Sequence, residues 1–335
     1  MNYLELEKYD PTGMFKTYDD WPSIAQKSYD NEYEKISFTK TDHIVLCGMG
    51  GSGSVCDVIS AILSKTSIHV SVVKGYLLPK TVNSKSLVIS ISVSGDTIET
   101  LTTLDSANKL GCQILSLSSG GKINQFSKNN NIKHIMLQKY HSPRASFTSF
   151  LYATLKILNS ILPIEINDIH ESINQLKIRS KQICSSNLTD TNISLKLAEW
   201  LSDFPLIYYP WGLESCAIRF KNSLNENTKC VAVVEDVIEA CHNNIVSFER
   251  FPKNKVILLE GTDDYIKTKE RWNIVKEYFQ INNIEFMEIH STNGSILSKL
   301  VDLIYVLDYS TIFRAVLSKT DPSPVKPIDF IKARI

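Results

Sequence analysis

Several familiar signals are missing from this chain of 335 residues. Excess charge of one sign is absent, because 36 basic residues balance 36 acidic ones and the lysines and arginines are scattered. A scattered set cannot follow a phosphate backbone, so no nucleic-acid partner is expected. No run approaches the ~20 apolar residues of a membrane span, and the N-terminus lacks the pattern of a secretory signal. We therefore expect no membrane partner.

Spacings typical of metal sites and disulfide frameworks are also missing. The seven histidines form no H-x-x-x-H pattern, and the cysteines form no C-x-x-C pair. An odd number of cysteines, several of them in apolar runs, is typical of free thiols in a reduced cytoplasmic protein. We therefore expect neither a metal nor a structural zinc. The seven cysteines are Cys47, Cys56, Cys112, Cys184, Cys216, Cys230 and Cys241.

Apolar residues are plentiful: 43% of the chain is hydrophobic and 21% is charged. This balance is globular, and the length is about that of two ordinary domains. In the first half, short apolar runs alternate with turns and helical spacing, which predicts a parallel, doubly wound sheet. The predicted strands are residues 43–47, 68–73, 87–93, 113–117 and 133–137.

The first strand runs into a glycine turn, G-M-G-G-S-G at residues 48–53, before a helix. Its glycines fit the G-x-G-x-x-G pattern of dinucleotide sites, where backbone N–H groups and a helix N-terminus bind pyrophosphate. However, the next strand ends at Lys74, where such sites usually carry an acidic ligand for the ribose. The turn therefore favours a smaller phosphate over a nicotinamide cofactor.

A second turn with polar hydroxyls follows the third strand, V-S-G-D-T-I-E-T at residues 93–100. Ser92, Ser94 and Thr97 offer hydroxyls at the start of a helix whose dipole favours an anion. The alternative is an ordinary N-cap, in which Ser94 or Thr97 satisfies backbone N–H groups and binds nothing. Adjacent parallel strands would direct both turns into one crevice, which favours a phosphate site.

Arg144 lies in a turn, H-S-P-R-A-S-F at residues 141–147, that precedes an apolar helix at 150–162. Its guanidinium could bind a phosphate or stabilise a developing oxyanion, or it could simply be solvated. Residues 163–198 are polar with helical character and are interpreted as a connector. A leading helix containing Tyr18, Trp21 and Ile24 is expected to pack on the first domain.

The second half repeats the α/β pattern and contains the stretch L-N-E-N-T-K-C-V-A-V-V-E-D-V-I-E-A-C-H-N at residues 224–243. Glu226 lies between two amides, and His242 lies beside Asn243. A carboxylate and an imidazole are suited to moving protons near neutral pH, so the two form a candidate acid/base pair. A solvated glutamate at a helix end and a structural histidine are the alternatives. Near the C-terminus, helical spacing predicts that the tail carrying Lys332 docks on the protein.

Together, the glycine turn, the hydroxyl turn and the motifs S-P-R-A, L-N-E-N, C-H-N and I-D-F-I-K resemble the bifunctional phosphoglucose/phosphomannose isomerase family. That family is built from two sugar isomerase (SIS) domains, and the resemblance extends over nearly the whole chain. It implies an α/β fold of two SIS-type, flavodoxin-like domains, each a mostly parallel sheet flanked by helices. The expected N-terminal domain with its leading helix is residues 1–150, the connector 151–198, and the C-terminal domain 199–335.

The resemblance also implies a reaction and its residues. Members interconvert glucose 6-phosphate and mannose 6-phosphate with fructose 6-phosphate, without metal or cofactor. Glu226 matches the family's base, His242 its ring-opening histidine, Arg144 the arginine near the reacting carbons, and Lys332 the lysine near the C-terminus. The expected phosphate ligands are Gly51, Ser52, Ser92, Ser94 and Thr97.

Two further expectations come from the resemblance. The family's histidine is contributed by the neighbouring subunit, which implies a homodimer with shared active sites in a cytoplasmic enzyme of glycolysis or gluconeogenesis. The family commonly has Asn at the position of Asp96, so this chain places a carboxylate close to the expected phosphate.

Other classes of protein share some of these features. A non-catalytic SIS protein that senses a sugar phosphate would keep both phosphate turns but would not need Glu226 and His242. A single-substrate phosphosugar isomerase or the isomerase domain of an amino-sugar synthase is a second alternative. A nicotinamide-dependent oxidoreductase is a third, and Lys74 counts against it.

Overall fold

The structure is a computed structural model that describes residues 1–39, 41, 43–251 and 253–335. It divides into two compact units. The first unit contains Asp20–Ile166 and Pro327–Ile335, and the second contains Met1–Asp19 and Asn167–Lys326. The N-terminal residues therefore belong to the second unit and the C-terminal residues to the first. At both termini this differs from the domain boundaries expected from the sequence.

The first unit contains a five-stranded sheet in the order β2-β1-β3-β4-β5, in which neighbouring strands run parallel. This is the flavodoxin-type order, and it confirms the predicted fold class. β1, β3 and β4 are buried along almost their whole length, as expected for central strands of a parallel sheet covered on both faces, whereas the edge strands β2 and β5 are partly exposed. The strands are β1 (His43–Cys47), β2 (His69–Val73), β3 (Leu87–Ser92), β4 (Gln113–Ser118) and β5 (Lys133–Met136).

Helices cover this sheet, and their apolar residues form its core. Val45 and Val88 from the sheet pack with Leu104, Ala107 and Ile123 from the helices. These residues recur at helical spacing, which is why the segments between the strands fold as amphipathic helices. The helices are α3 (Trp21–Asp30), α4 (Gly50–Leu63), α5 (Ile98–Lys109), α6 (Gly121–Asn129) and α7 (Phe147–Ile157).

The second unit contains a four-stranded parallel sheet in the order β7-β6-β8-β9, the same order as the first four strands of the other sheet. Three of its strands were predicted, by apolar runs at residues 206–209, 255–260 and 285–289. The edge strand β7 was not, because its four residues are only half-buried and carry two acidic side chains. The strands are β6 (Leu206–Tyr209), β7 (Val233–Asp236), β8 (Val256–Glu260) and β9 (Phe286–His290).

The helices of the second unit surround one long helix, α13 (Ile296–Leu317), which is buried on nearly its whole circumference. Even this helix falls short of a membrane span, since none of the described helices combines the required length and apolarity. The other helices are α1 (Tyr3–Tyr9), α2 (Met14–Asp19), α8 (Ile166–Ile183), α9 (Ile193–Trp200), α10 (Glu214–Ser223), α11 (Val237–Ala240) and α12 (Ile266–Ile281).

The expected connector is an integral part of the second unit. Arg179 on α8 forms a bidentate pair with Asp302 on α13 at 2.7 and 2.9 Å, and Ser194 on α9 donates to the carbonyl of Val306 at 2.8 Å. Helices that appear polar in sequence therefore bury one face against α13. Their hydrogen bonds reach residues far along the chain, which local periodicity does not reveal.

The expected leading helix is three short helices, and only α3 belongs to the first unit. Trp21 of α3 packs against Phe147 of α7 with ring centroids 5.8 Å apart. By contrast, α2 is fastened to α13, where the Tyr305 hydroxyl donates to the Tyr18 carbonyl at 2.7 Å and the Tyr309 hydroxyl donates to Asp19. The expectation that one helix packs on the first domain is therefore wrong for residues before Asp20.

Candidate active site

The first expected phosphate turn joins β1 to α4. Ser52 lies in the first turn of α4 and is 4% exposed. Its hydroxyl accepts a hydrogen bond from the backbone N–H of Val93 at 3.0 Å. Because Val93 directly follows β3, this bond connects the two expected phosphate turns. Their proximity follows from the pairing of β1 with β3 at the point where the strand order reverses.

The second expected phosphate turn is closed by its own hydroxyls. The hydroxyls of Ser92 and Thr97 lie 2.9 Å apart, and Ser92 also accepts the N–H of Gly95 at 3.1 Å. Ser94 accepts the N–H of Asp96 at 3.3 Å. Thr97 occupies the N-cap position of α5 but makes no side-chain cap bond, so the simple N-cap interpretation does not describe this turn.

A third turn, between β4 and α6, packs against the second one and stabilises it. Gly95 adopts φ +77°, and a Cβ placed there would lie 1.9 Å from the Gly120 carbonyl oxygen. The backbone N–H and the hydroxyl of Ser119 donate to the Val93 carbonyl at 3.2 and 2.5 Å. Only glycine permits this approach, so the glycine of the S-G-D-T motif is required by packing as well as by conformation.

Asp96, which stands where the family commonly has Asn, has a partner in this third turn. Its carboxylate oxygen Oδ1 accepts the backbone N–H of Lys122 at 3.0 Å, close to the N-terminus of α6. A carboxylate is favourable there because the first N–H groups of a helix need acceptors and its dipole attracts negative charge. An asparagine oxygen could accept the same bond.

Arg144 is buried, with 4% of its surface exposed, so the solvated interpretation of this residue is wrong. Gly51 explains how its turn comes close to the first phosphate turn. A Cβ at Gly51 would lie 2.8 Å from the Pro143 carbonyl oxygen and 3.1 Å from Arg144 Cα. The same turn is fixed from the other side, where the Trp21 indole donates to the Ala145 carbonyl at 2.9 Å.

The first unit therefore brings six of the expected residues into one set of connected turns. Two buried hydroxyls, several backbone N–H groups, two helix N-termini and one arginine are combined there. Such a combination favours a dianionic phosphate. The six residues are Gly51, Ser52, Ser92, Ser94, Thr97 and Arg144.

Glu226 lies in a π-helical turn, Leu224–Thr228, that continues α10. Such single-turn insertions are rare and are frequent at functional sites. Glu226 is half-buried, while Asn227 beside it is fully buried and donates to the Thr311 hydroxyl at 2.7 Å. The turn ends at Lys229, which has a left-handed φ of 63°. Glu226 is thus held on an irregular but well-bonded turn instead of a solvated helix end.

Below this turn lies a buried ion pair that sequence analysis missed. Arg219 on α10 donates to Asp308 on α13 through Nε at 3.0 Å and Nη2 at 2.6 Å, and the Ser223 hydroxyl donates to the same carboxylate at 2.9 Å. Burial raises the pKa of Asp308, while the Arg219 guanidinium opposes this shift. The available signal was Asp308, an acidic residue within the apolar stretch of α13. The pair anchors α10, and hence the Glu226 turn, to the core of the second unit.

His242 and Lys332 are both exposed. His242 lies just after α11, and its N–H donates to the Glu239 carbonyl at 2.8 Å. The amide of Asn243 donates to the Glu239 carboxylate at 2.8 Å. Lys332 lies in α14 (Lys326–Lys332), a helix that buries none of its residues in this chain. Residues 327–335 belong to the first unit, but α14 buries none of its residues there.

The second sheet contains one group that could hold a metal among the described residues. It consists of Glu260, Glu288 and His290. The ammonium of Lys276 already donates to Glu260 and Glu288, at 3.1 Å each. These carboxylates raise the pKa of Lys276 despite its partial burial, which keeps it charged. The ammonium of Lys276 therefore provides the positive charge that balances these two carboxylates.

Family models match both halves of the chain. A profile for the SIS domain matches residues 37–162, and one for the bacterial phospho-glucose isomerase C-terminal SIS domain matches residues 190–335. A bifunctional phosphoglucose/phosphomannose isomerase of Caldicellulosiruptor bescii is 31% identical, over 96% of this chain and 98% of the relative. The chain belongs to this family. As a phosphoglucose/phosphomannose isomerase family member, it is an isomerase.

Further comparisons extend this membership. The bifunctional phosphoglucose/phosphomannose isomerase of Aquifex aeolicus is 29% identical, over 91% of this chain and 94% of that protein. Among solved structures, the C-terminal domain of glucosamine-fructose-6-phosphate aminotransferase from Francisella tularensis has a TM-score of 0.67. It covers 92% of this chain and 96% of that domain at 17% identity, which shows a shared fold. The predicted resemblance and the fold of two SIS domains are thus confirmed.

Proposed function

We propose that this family member interconverts glucose 6-phosphate, and mannose 6-phosphate, with fructose 6-phosphate through an enediolate. The observation that carries the proposal is the pair of connected phosphate turns beside a buried arginine in the first unit. The names of two relatives, both bifunctional phosphoglucose/phosphomannose isomerases, support the same substrates. No cofactor or metal enters the proposed chemistry, because isomerisation moves only protons.

The phosphate would be bound by the hydroxyls of Ser92, Ser94 and Thr97, by Ser52, and by N–H groups at the starts of α4 and α5. Part of this set is already organised, because Ser52 is bonded to Val93 and Ser92 to Gly95. A rigid anion site supplies binding energy far from the reacting carbons, and this energy orients the sugar for reaction. Gly51 contributes by allowing the Arg144 turn to approach.

The proton transfers are assigned to the remaining residues. Glu226 removes the proton from C2 of the open aldose and returns it to C1, while Arg144 stabilises negative charge on the enediolate oxygen. His242 and Lys332 move the proton that opens the sugar ring. The π turn supports this role of Glu226, since it holds the carboxylate half-buried on a bonded backbone.

We further propose that the enzyme is a homodimer in which His242 acts in the partner's active site. Two exposed apolar side chains follow this histidine in sequence: Val246 is 58% exposed and Phe251 is 54% exposed. Exposed apolar residues close to a proposed catalytic group are typical of a surface that another protein subunit covers. None of the seven cysteines forms a disulfide, which supports a cytoplasmic location for this proposed enzyme of carbohydrate metabolism.

The first test is turnover of fructose 6-phosphate with EDTA present, resolving glucose 6-phosphate and mannose 6-phosphate as separate products. Both products are expected. Glucose 6-phosphate alone would narrow the activity to a phosphoglucose isomerase. Binding of the sugar phosphate without either product would point instead to a non-catalytic SIS regulator.

Replacing Glu226 by Gln tests the proposed base. The variant should lose about 10²- to 10⁴-fold in kcat, because the amide cannot accept the C2 proton, while sugar-phosphate binding is retained. Calorimetric titration with fructose 6-phosphate measures the binding. Glu277→Gln, an exposed glutamate on α12, is the matched control and should behave like the unmodified protein. Normal turnover by Glu226→Gln would rule out Glu226 as the base.

A further inference from the structure

Lys229 connects the turn that carries Glu226 to the segment that precedes the C-terminal helix. Its ammonium donates to the backbone carbonyl of Glu226 at 2.5 Å and to the carbonyl of Pro324 at 2.9 Å. Both acceptors belong to the second unit. One side chain therefore bonds directly to the backbone of the proposed base and to a second, distant stretch of the chain.

The backbone of Lys229 makes this double contact possible. The residue has φ 63° and ψ 15°, a left-handed conformation that residues other than glycine seldom adopt. It reverses the chain at the end of the π turn, so that the side chain returns over the carbonyls of that turn. Unfavourable conformations of this kind persist where the surrounding contacts demand them, and they cluster at functional sites.

The Pro324 end of the bridge is itself anchored. The N–H of Ser323 donates to the Asp321 carboxylate at 2.8 Å, and the hydroxyls of Thr12 and Ser323 lie 2.6 Å apart. The bridge therefore ties the Glu226 turn to an organised segment. That segment leads directly into α14, which carries Lys332.

The neighbours of Glu226 are bonded in the same way. Asn225 donates to the Cys230 carbonyl at 2.7 Å, and Asn227 donates to Thr311. The backbone on each side of Glu226 is thus fixed by an amide, and the carbonyl of Glu226 itself is fixed by Lys229. Proton transfer requires the carboxylate to lie within hydrogen-bond reach of the carbon-bound proton, so small displacements of this backbone matter.

We propose that Lys229 is a positioning residue for the isomerase reaction: it fixes the backbone of Glu226 and couples that turn to the segment before α14. The proposal rests on the proposed function, because it assigns Lys229 a task relative to Glu226 as base. A purely structural role is the alternative, since lysines near helix ends often bond to the last carbonyls and only stabilise the helix.

Three variants separate these roles. Lys229→Met keeps the length of the side chain but removes the charge and both bonds, and its kcat should fall by about 10- to 100-fold with an unchanged KM for fructose 6-phosphate. Lys229→Arg should restore most of the kcat. Lys255→Met is the matched control. Lys255 also donates to a backbone carbonyl, that of Trp200 at 3.2 Å, but it lies beside the amino end of β8 and not at the Glu226 turn. An unchanged kcat in Lys229→Met, with or without a lower Tm, would overturn the proposal.

Hydrogen exchange measured by mass spectrometry tests the bridge without reference to turnover. In Lys229→Met, exchange should rise together in residues 224–228 and 321–326, whereas Lys255→Met should leave both segments unchanged. A rise in only one segment, or in neither, would overturn the coupling. If the unmodified protein turns over neither product, the proposed function and the catalytic task of Lys229 fail together, and the exchange result still decides whether the bridge exists.

Discussion

At the scale of single residues, the absence of a side chain at Gly51 determines where Arg144 can lie. The Cβ of any other residue would meet the Pro143 carbonyl oxygen at 2.8 Å. Since the obstacle is backbone, it cannot move aside by rotating a side chain. The glycine that appeared in sequence to be part of a phosphate-binding pattern therefore also sets the position of the arginine.

Replacing Gly51 by Ala should consequently weaken substrate binding. We expect the KM for fructose 6-phosphate to rise and the protein to lose about 1–3 kcal/mol of stability, because the added methyl group forces the Arg144 turn outward. Steady-state kinetics and thermal melting measure both effects. Gly75→Ala is the matched control: nothing lies within 4 Å of a Cβ there, and its backbone is not left-handed. Equal behaviour of the two variants would contradict the steric argument.

Asp96 shows how a departure from the family pattern can be accommodated. A carboxylate beside the proposed phosphate site adds negative charge close to the substrate. In the structure, this carboxylate accepts the N–H of Lys122 and so supports the third turn, whose Gly120 lies against Gly95. The amide usual at this position and the carboxylate found here offer the same acceptor oxygen, so both can serve this local structure.

At the scale of elements, the turn between β4 and α6 is stabilised by His134 on the edge strand β5. The Nδ1 atom of its ring lies 2.8 Å from the Ser116 hydroxyl, and its Nε2 atom lies 3.4 Å from that of Ser118. Ser118 in turn donates to the Gly120 carbonyl at 2.7 Å. Burial, followed by the charge of Lys128, lowers the pKa of His134 below its ordinary value of 6.5.

This shift predicts a pH dependence of stability. Because the pKa of His134 is lower in the folded protein, the unfolded chain binds a proton there more readily as the pH falls below 6.5. The contribution of neutral His134 to stability is therefore fully present above pH 6.5 and is lost as the pH falls through the folded pKa. Melting temperatures measured from about pH 8 to 5 should fall less in His134→Asn than in the unmodified protein over this window. The exposed His170 on α8, replaced by Asn, is the control. An equal fall in the melting temperatures of His134→Asn and the unmodified protein would contradict the assignment of this pH dependence to His134.

The π turn is the element in the second unit that matters most for the proposed chemistry. It is anchored by Asn227 to Thr311 and by the buried Arg219–Asp308 pair beneath α10. Removing one member of a buried pair leaves an uncompensated charge, which typically costs several kcal/mol. The irregular geometry at Glu226 is therefore supported by contacts in the helix core, most of them from α13.

At the scale of the whole molecule, the proposed homodimer can be tested by mixing two inactive variants. If each active site combines Glu226 of one subunit with His242 of the other, a heterodimer of Glu226→Gln and His242→Asn chains has one intact site. Random exchange of subunits in this symmetric dimer should then restore about a quarter of normal activity.

The control for the mixing experiment is each variant unfolded, refolded and assayed alone, which should remain inactive. If both residues act from the same subunit, every site in the mixture carries a lesion, and no activity returns. Sedimentation or light scattering on the same samples reports whether the chain is dimeric. A monomer would refute the shared site directly.

The amino-acid pattern alone determined the local units of this protein. Apolar runs followed by glycine or hydroxyl turns predicted the strands of the first sheet and both phosphate turns, because strand periodicity and turn chemistry are properties of neighbouring residues. The proximity of those turns also followed, since parallel strands direct their carboxyl ends to one edge. Their bond through Ser52 and Val93 bears this out.

Only the tertiary structure decided the remaining features. Four of them depend on contacts between residues far apart in sequence. They are the assignment of each chain end to the unit built mainly by the opposite half, the burial of Arg144, the capping role of Asp96 and the Arg219–Asp308 pair. The π turn at Glu226 is also of this kind, because long-range bonds stabilise a backbone that local propensity disfavours. Local patterns specify which elements form, whereas packing and hydrogen bonding between distant elements determine how each functional side chain is held.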